Sequence, residues 1–146
     1  PNERRWEKIS AGLDVRWLTD FTVDSTDSRI VYLAACDDPA RKLAEGGLYR
    51  TLDGGATWTR LTRKSALHFS AIFSPHRAGR MYMTLTYNEG LAAPLWISED
   101  RGESWTAFED YPFCSAHRVH FDPADPTVIY VTSSGGGIWR GPATPE

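Results

Sequence analysis

Long apolar runs are missing from this 146-residue sequence. None approaches the ~20 residues that span a bilayer as a helix, so no transmembrane segment is expected. A basic excess is missing too: 16 Lys and Arg stand against 19 Asp and Glu, a net charge of -3, which removes the electrostatic case for nucleic acid. Two cysteines, Cys36 and Cys114, are too few for a disulfide framework. No stretch shows a helical period with caps. The histidines form no chelating pair: His117 and His120 are three apart in an extended segment and face opposite ways, and His68 and His76 have no partners in sequence. No metal site and no cofactor are therefore expected. "SSGGG" leads into an extended run rather than a helix, so it is no phosphate loop, and no nucleophile elbow appears.

What is present is turn residues and aromatics. Twelve Gly, nine Pro and six each of Trp, Tyr and Phe point to short strands joined by many turns. The strands repeat. Tyr32, Tyr82 and Tyr130 sit in "IVYLA", "RMYMT" and "VIYVT", each eight residues after a turn opener, Asp24, Ser74 or Asp122. The openers are 50 and 48 residues apart. Before each comes "FTV", "AIF" or "VHF"; after each tyrosine strand comes "GGLYRT", "APLWIS" or "GGIWRG". A fourth strand opens on Trp58 ("WTRL") and Trp105 ("WTAF"), with "WEKI" at Trp6 as a further copy. With the strands of a unit lettered a to d, the chain reads d, abcd, abcd, abc. Four strands repeating every ~40–50 residues are the signature of β-propeller blades. The expected fold is all-β, with about three four-stranded antiparallel blades in one domain: residues 1–13 as strand d of a preceding or closing blade, 14–62 and 63–110 as blades, and 111–146 as strands a to c of a final blade.

Between strands c and d the chain writes one phrase twice, "TLDGGATW" and "SEDRGESW". An Asp in such a hairpin accepts turn amides, a Gly takes positive φ, and the Trp buries an apolar face between blades. The phrase resembles the Asp box of the bacterial neuraminidase repeat, carried by Thr51, Asp53, Gly55, Thr57 and Trp58, and again by Ser98, Asp100, Gly102, Ser104 and Trp105. The chain is similar to Asp-box propellers, among them sialidases, sortilin-type receptors, xyloglucanase-type hydrolases and a photosystem II assembly factor. That resemblance implies structural boxes on the outer edge, away from any active site. It also implies that Asp20, in "LTDFTVDSTDSRIVYLA", takes the place of a xyloglucanase-type catalytic Asp on strand a. The plainer role for Asp20 is a strand residue bonded to loop amides. The second carboxylate departs from the family pattern: four residues after the strand-b tyrosines stand Cys36, Thr86 and Ser134. Glycoside hydrolysis needs a carboxyl pair.

The b–c and d–a loops share one face of a propeller, which brings Asp37, Asp38, Arg41, Tyr87, Glu89, Tyr111 and Phe113 towards one rim as candidate ligand residues. Carboxylates with flat aromatics suit a sugar; Tyr and Arg equally suit a protein partner. Two functions follow: a carbohydrate-interacting propeller segment, part of a xyloglucanase-like hydrolase, or a noncatalytic protein-binding or assembly scaffold. Three blades do not close a ring, so the remaining blades are expected from another segment or another copy. The chain starts at Pro1 and is read as the C-terminal portion of a longer propeller, secreted or otherwise extracytoplasmic. Cys36 and Cys114 fall about two blades apart, too far for a bond that needs Cα atoms within ~7 Å, and are expected as free thiols.

Overall fold

The computed structural model describes residues 6–38, 40, 45–62, 68–86 and 93–145. Its regular structure consists of strands, and among the described residues no helix is long and apolar enough to cross a membrane. Strands β1 (Trp17–Val23), β2 (Val31–Cys36), β3 (Gly47–Thr51) and β4 (Thr59–Arg60) make the first antiparallel sheet in chain order. Strands β5 (His68–Phe73), β6 (Met81–Leu85), β7 (Leu95–Ser98) and β8 (Thr106–Ala107) make the second. Strands β9 (Arg118–Phe121), β10 (Val128–Ser133) and β11 (Gly137–Pro142) make the third. These are propeller blades, two of four strands and one of three. The register repeats: Thr22 pairs with Tyr32, Ile72 with Tyr82 and His120 with Tyr130. The turn openers work as their chemistry dictates. Asp24 Oδ1 accepts the Thr26 amide at 2.7 Å, and Asp122 Oδ1 accepts the Ala124 and Asp125 amides at 2.9 and 3.1 Å.

The core lies between the sheets. Leu48 and Tyr32 of the first face Met81, Met83 and Ala71 of the second. Tyr82, Leu95, Ile97 and Phe108 of the second face Val119, Ile129 and Val131 of the third. The middle strands carry most of this burial, since β2 and β6 are buried along their whole length. Each interface is fastened by one phenol. The Tyr32 hydroxyl donates to Arg101 O at 2.6 Å, and the Tyr82 hydroxyl donates to Ala143 O at 2.7 Å, in each case on the following blade. Tyr130, with no following blade in this chain, donates instead to Asp122 Oδ2 at 3.2 Å.

The two c–d turns are the same atom for atom. Thr51 Oγ1 donates to Asp53 Oδ1 and accepts the Gly55 amide; Ser98 Oγ donates to Asp100 Oδ1 and accepts the Gly102 amide. Asp53 accepts the Thr57 amide and hydroxyl at 2.8 and 2.6 Å, and Asp100 accepts those of Ser104 at 2.9 and 2.6 Å. Gly54 and Arg101 occupy the same place with φ of 73° and 60°. A left-handed arginine costs about 1–2 kcal/mol. Its contacts offset that cost: on the first blade, the Tyr32 hydroxyl on its carbonyl and Asp24 and Thr26 on its guanidinium, and on its own blade the Gly79 carbonyl on its amide.

Trp58 and Trp105 are partly buried, each packed against a core cluster, and one expectation needs correction. Each strand they introduce is only two residues long at the outer rim. Trp105 lies over its own turn, with its Nε1 donating to Gly102 O and its ring against the Gly102 backbone, while Trp58 Nε1 donates to Ile9 O. The segment from Trp6 to Ile9 forms no strand, and Trp6 is fully exposed. A strand exists only by pairing, and none of the described strands pairs with "WEKI".

Tyr82→Phe is expected to cost about 1–2 kcal/mol in denaturant unfolding, because it strands a buried carbonyl; Tyr130→Phe, lacking a cross-blade bond, should cost less. A second expectation concerns acid. Hydrogen bonds from the Thr57 and Ser104 hydroxyls, then from their amides, lower the Asp53 and Asp100 carboxyls from 3.8 to about 2. A lowered folded pKa gives stability that is present above 3.8 and lost as pH falls towards 2. Urea midpoints measured across that window should fall less steeply for Asp53→Asn/Asp100→Asn than for the unaltered chain.

Candidate functional site at the inner edge of the blades

The first strand of each blade lies against the first strand of the next, β1 against β5 and β5 against β9. Three positions on these strands are in register: Asp20 opposite Ala34, Ser70 opposite Thr84 and Arg118 opposite Thr132. Their side chains meet. Ser70 Oγ donates to Asp20 Oδ2 at 2.6 Å, and Arg118 Nε lies 3.6 Å from the same oxygen. An Arg118 Nη reaches Thr19 O at 3.1 Å, tying the third blade to the first. Ser70 is buried, while Asp20 and Arg118 remain partly open.

Asp20 is therefore not bonded to loop amides, as its plainer reading expects, but to side chains of two neighbouring blades. Sequence periodicity could not reveal this. β1 slips its register between Leu18 and Asp20, and β5 slips between His68 and Ser70. Such bulges re-aim the side chain that follows. Ser70 was missed for that reason, and Arg118 because it carries no motif; the signal that finds both is their shared offset from the strand-b tyrosines.

Around this cluster, burial first and then the Arg118 charge lower the His117 pKa, while Thr84 Oγ1 donates to the His117 carbonyl at 2.7 Å. The arrangement offers a carboxylate acceptor, held by the buried Ser70 hydroxyl, and a guanidinium on one surface. That suits a hydroxyl-rich or anionic ligand group. The positions in register with Asp20 hold no second carboxyl, and the family's alternative positions hold Cys36, buried and paired with Trp17, and Thr86, bridged to Ser115.

The rim residues fare differently. Asp37 accepts the Gly46 amide at 2.7 Å and buried Asp38 accepts the Ala40 amide at 3.1 Å, so both close their own loop. Tyr111 is half-buried, donates to Ser115 O at 3.3 Å, and burial lifts its pKa to about 12. Phe113 stacks on Trp139 with centroids 6.3 Å apart. Arg41, Tyr87 and Glu89 lie outside the described residues. Among the described residues no group of His, Cys, Asp and Glu could hold a metal ion.

No family model and no curated protein matches the chain. Solved structures do. The chain is similar to the GH74 enzyme of Niastella koreensis (TM-score 0.62, 19% identity, 84% of this chain and 19% of that one). It is equally similar to the GH74 xyloglucanase of Xanthomonas campestris (0.62, 19%, 82% and 20%). YCF48 from Cyanidioschyzon merolae also matches (0.57, 18%, 85% and 33%), as does a structure of YCF48 bound to D1 peptide (0.53, 13%, 88% and 38%). At these identities the likeness shows the propeller fold alone. The chain spans at most about a third of the first three of these structures.

Cys36 is buried and Cys114 exposed, and no disulfide joins them. A thiol reagent should label one cysteine in the folded chain and both after unfolding; slow labelling of both in the folded state would contradict the placement of Cys114.

Proposed function

We propose that this chain is part of an Asp-box propeller that binds carbohydrate at the inner edge of its blades. The observation that carries the reading is the meeting of Asp20, Ser70 and Arg118 from three blades around one carboxylate. A carboxylate held by a hydroxyl and facing a guanidinium accepts from sugar hydroxyls in a fixed direction, and the guanidinium donates alongside it. Asp20 Oδ1 has no partner among the described residues, which leaves it for a ligand. The fold likeness to a xyloglucanase supports a glucan as the ligand class. In a complete propeller, Asp20 would serve as one member of a hydrolytic carboxyl pair, with the second contributed from outside this chain.

A second reading has its own support. YCF48 in the matched structure holds a peptide, and loops in which Asp37, Asp38, Tyr111 and Phe113 serve packing leave a preformed surface that a protein partner can engage.

Titration calorimetry with xyloglucan oligosaccharides separates the two. Saturable binding is expected, weakened at least about tenfold by Asp20→Asn, the loss of one charge-assisted hydrogen bond, and also weakened by Arg118→Ala. Oligosaccharide binding that ignores both substitutions would move the site elsewhere. An absence of oligosaccharide binding together with peptide binding would favour the scaffold.

A further inference from the structure

Trp17, the first residue of β1, is 49% exposed. A single exposed apolar side chain is common on any protein surface, so its setting decides whether it matters. The other exposed apolar residues of β1 are Leu18, Phe21 and Val23, which lie opposite Ala35, Leu33 and Val31. Leu33 and Ala35 pack with Leu13, Val15 and Trp58, so that side of the sheet faces away from the second blade. Trp17 stands on the other side. It pairs with Cys36, and the bulge that follows puts Asp20 opposite Ala34. Cys36, Ala34 and Tyr32 share one side of β2 because side chains alternate along a strand. It is the side from which the Tyr32 hydroxyl reaches Arg101 in the second blade. The indole and the Asp20 carboxylate therefore lie on the same side of the same strand. Cys36 and Ala34 are buried on that side, whereas Trp17 stays half open.

We propose that Trp17 is the stacking platform for the carbohydrate that Asp20 binds, an inference that rests on the carbohydrate reading of the inner edge. Three residues of strand span roughly 10 Å, less what the bulge takes up, which is about the length of two linked pyranose rings. Asp20 Oδ2 takes the Ser70 hydroxyl, which leaves Oδ1 to accept a hydroxyl of one ring. The next ring along the glycan then lies over the indole. The C–H face of that ring leaves water against a rigid aromatic plane, which favours binding without ordering a flexible side chain. The ligand class that fits is a chain of β-linked pyranoses with equatorial hydroxyls, gluco- or xylo-configured. Such rings carry their C–H bonds on flat faces and their hydroxyls around the edge, where Asp20 meets them. A single sugar ring cannot reach both groups. The blade repeat does not demand this indole. Three residues before Ser70 and Arg118 stand Leu67, which lies outside the described residues, and Ser115, which is buried.

The test is fluorine NMR of the full chain grown with fluorotryptophan, with Trp17→Phe identifying the Trp17 resonance, titrated with a xyloglucan oligosaccharide. The Trp17 signal should move saturably, with the Kd that calorimetry gives. Trp17→Ala should weaken binding at least about fivefold, and Trp17→Phe, which keeps a flat ring, should restore most of that loss. Binding that depends on Asp20 while the Trp17 resonance stays still overturns the platform and leaves the carbohydrate reading standing. A Trp17 shift whose affinity is untouched by Asp20→Asn supports the platform and overturns the reading around Asp20. A resonance that no oligosaccharide moves in a chain that binds none, or that the D1 peptide moves instead, overturns both.

Discussion

Each blade interface turns on a phenol that has nowhere else to go. Tyr32 and Tyr82 are buried to within 1% of their surface, and a buried hydroxyl without an acceptor costs ~1–3 kcal/mol. The acceptor in each case is a carbonyl just past strand c of the next blade, Arg101 O or Ala143 O. This bond fixes how far one sheet rotates over its neighbour. The aromatic and aliphatic contacts behind it, such as Tyr32 edge-on to Phe73 at 5.4 Å, then close the gap. The turn that presents the carbonyl must in turn be rigid, which explains its internal hydrogen bonds and the positive φ at Arg101. Turn, phenol and core are thus one mechanical unit repeated along the chain.

Much of that unit was legible in the sequence. The tyrosine spacing and the twice-written turn located the strands, because a hairpin that needs Asp, Gly and a hydroxyl residue at fixed offsets leaves a fixed phrase. The segment around Trp6 shows the limit. Its pattern states that it can pair, while pairing itself depends on a strand that sequence alone does not bring beside it.

The inner edge was hardly legible at all. Asp20 could be singled out by a resemblance, yet its partners could not. Ser70 and Arg118 carry no motif, and the bulges that aim Asp20 and Ser70 leave no mark in a pattern of alternating residues. The rim, by contrast, looked functional in sequence because it collects charges and aromatics. In the structure Asp37 and Asp38 hold loop amides and Phe113 covers Trp139.

A contrast between the two edges of the blades follows from this. At the outer turn, equivalent positions keep their chemistry: Thr51 and Ser98, Asp53 and Asp100, Gly55 and Gly102, Thr57 and Ser104. Each makes the same bond in each copy, which is what a purely structural demand requires, since the same backbone needs the same donors wherever it recurs. At the inner edge, positions opposite the equivalent residues of strand b diverge completely, to Asp20, Ser70 and Arg118. Their surroundings diverge too: β1 and β5 slip register just before Asp20 and Ser70, and Ser70 is buried while Asp20 and Arg118 stay partly open. Around one Asp20 oxygen they set a hydroxyl at 2.6 Å and a guanidinium nitrogen at 3.6 Å, a chemically directional arrangement. Repetition therefore marks what holds the propeller together, and the break in repetition marks where we propose that it meets a ligand.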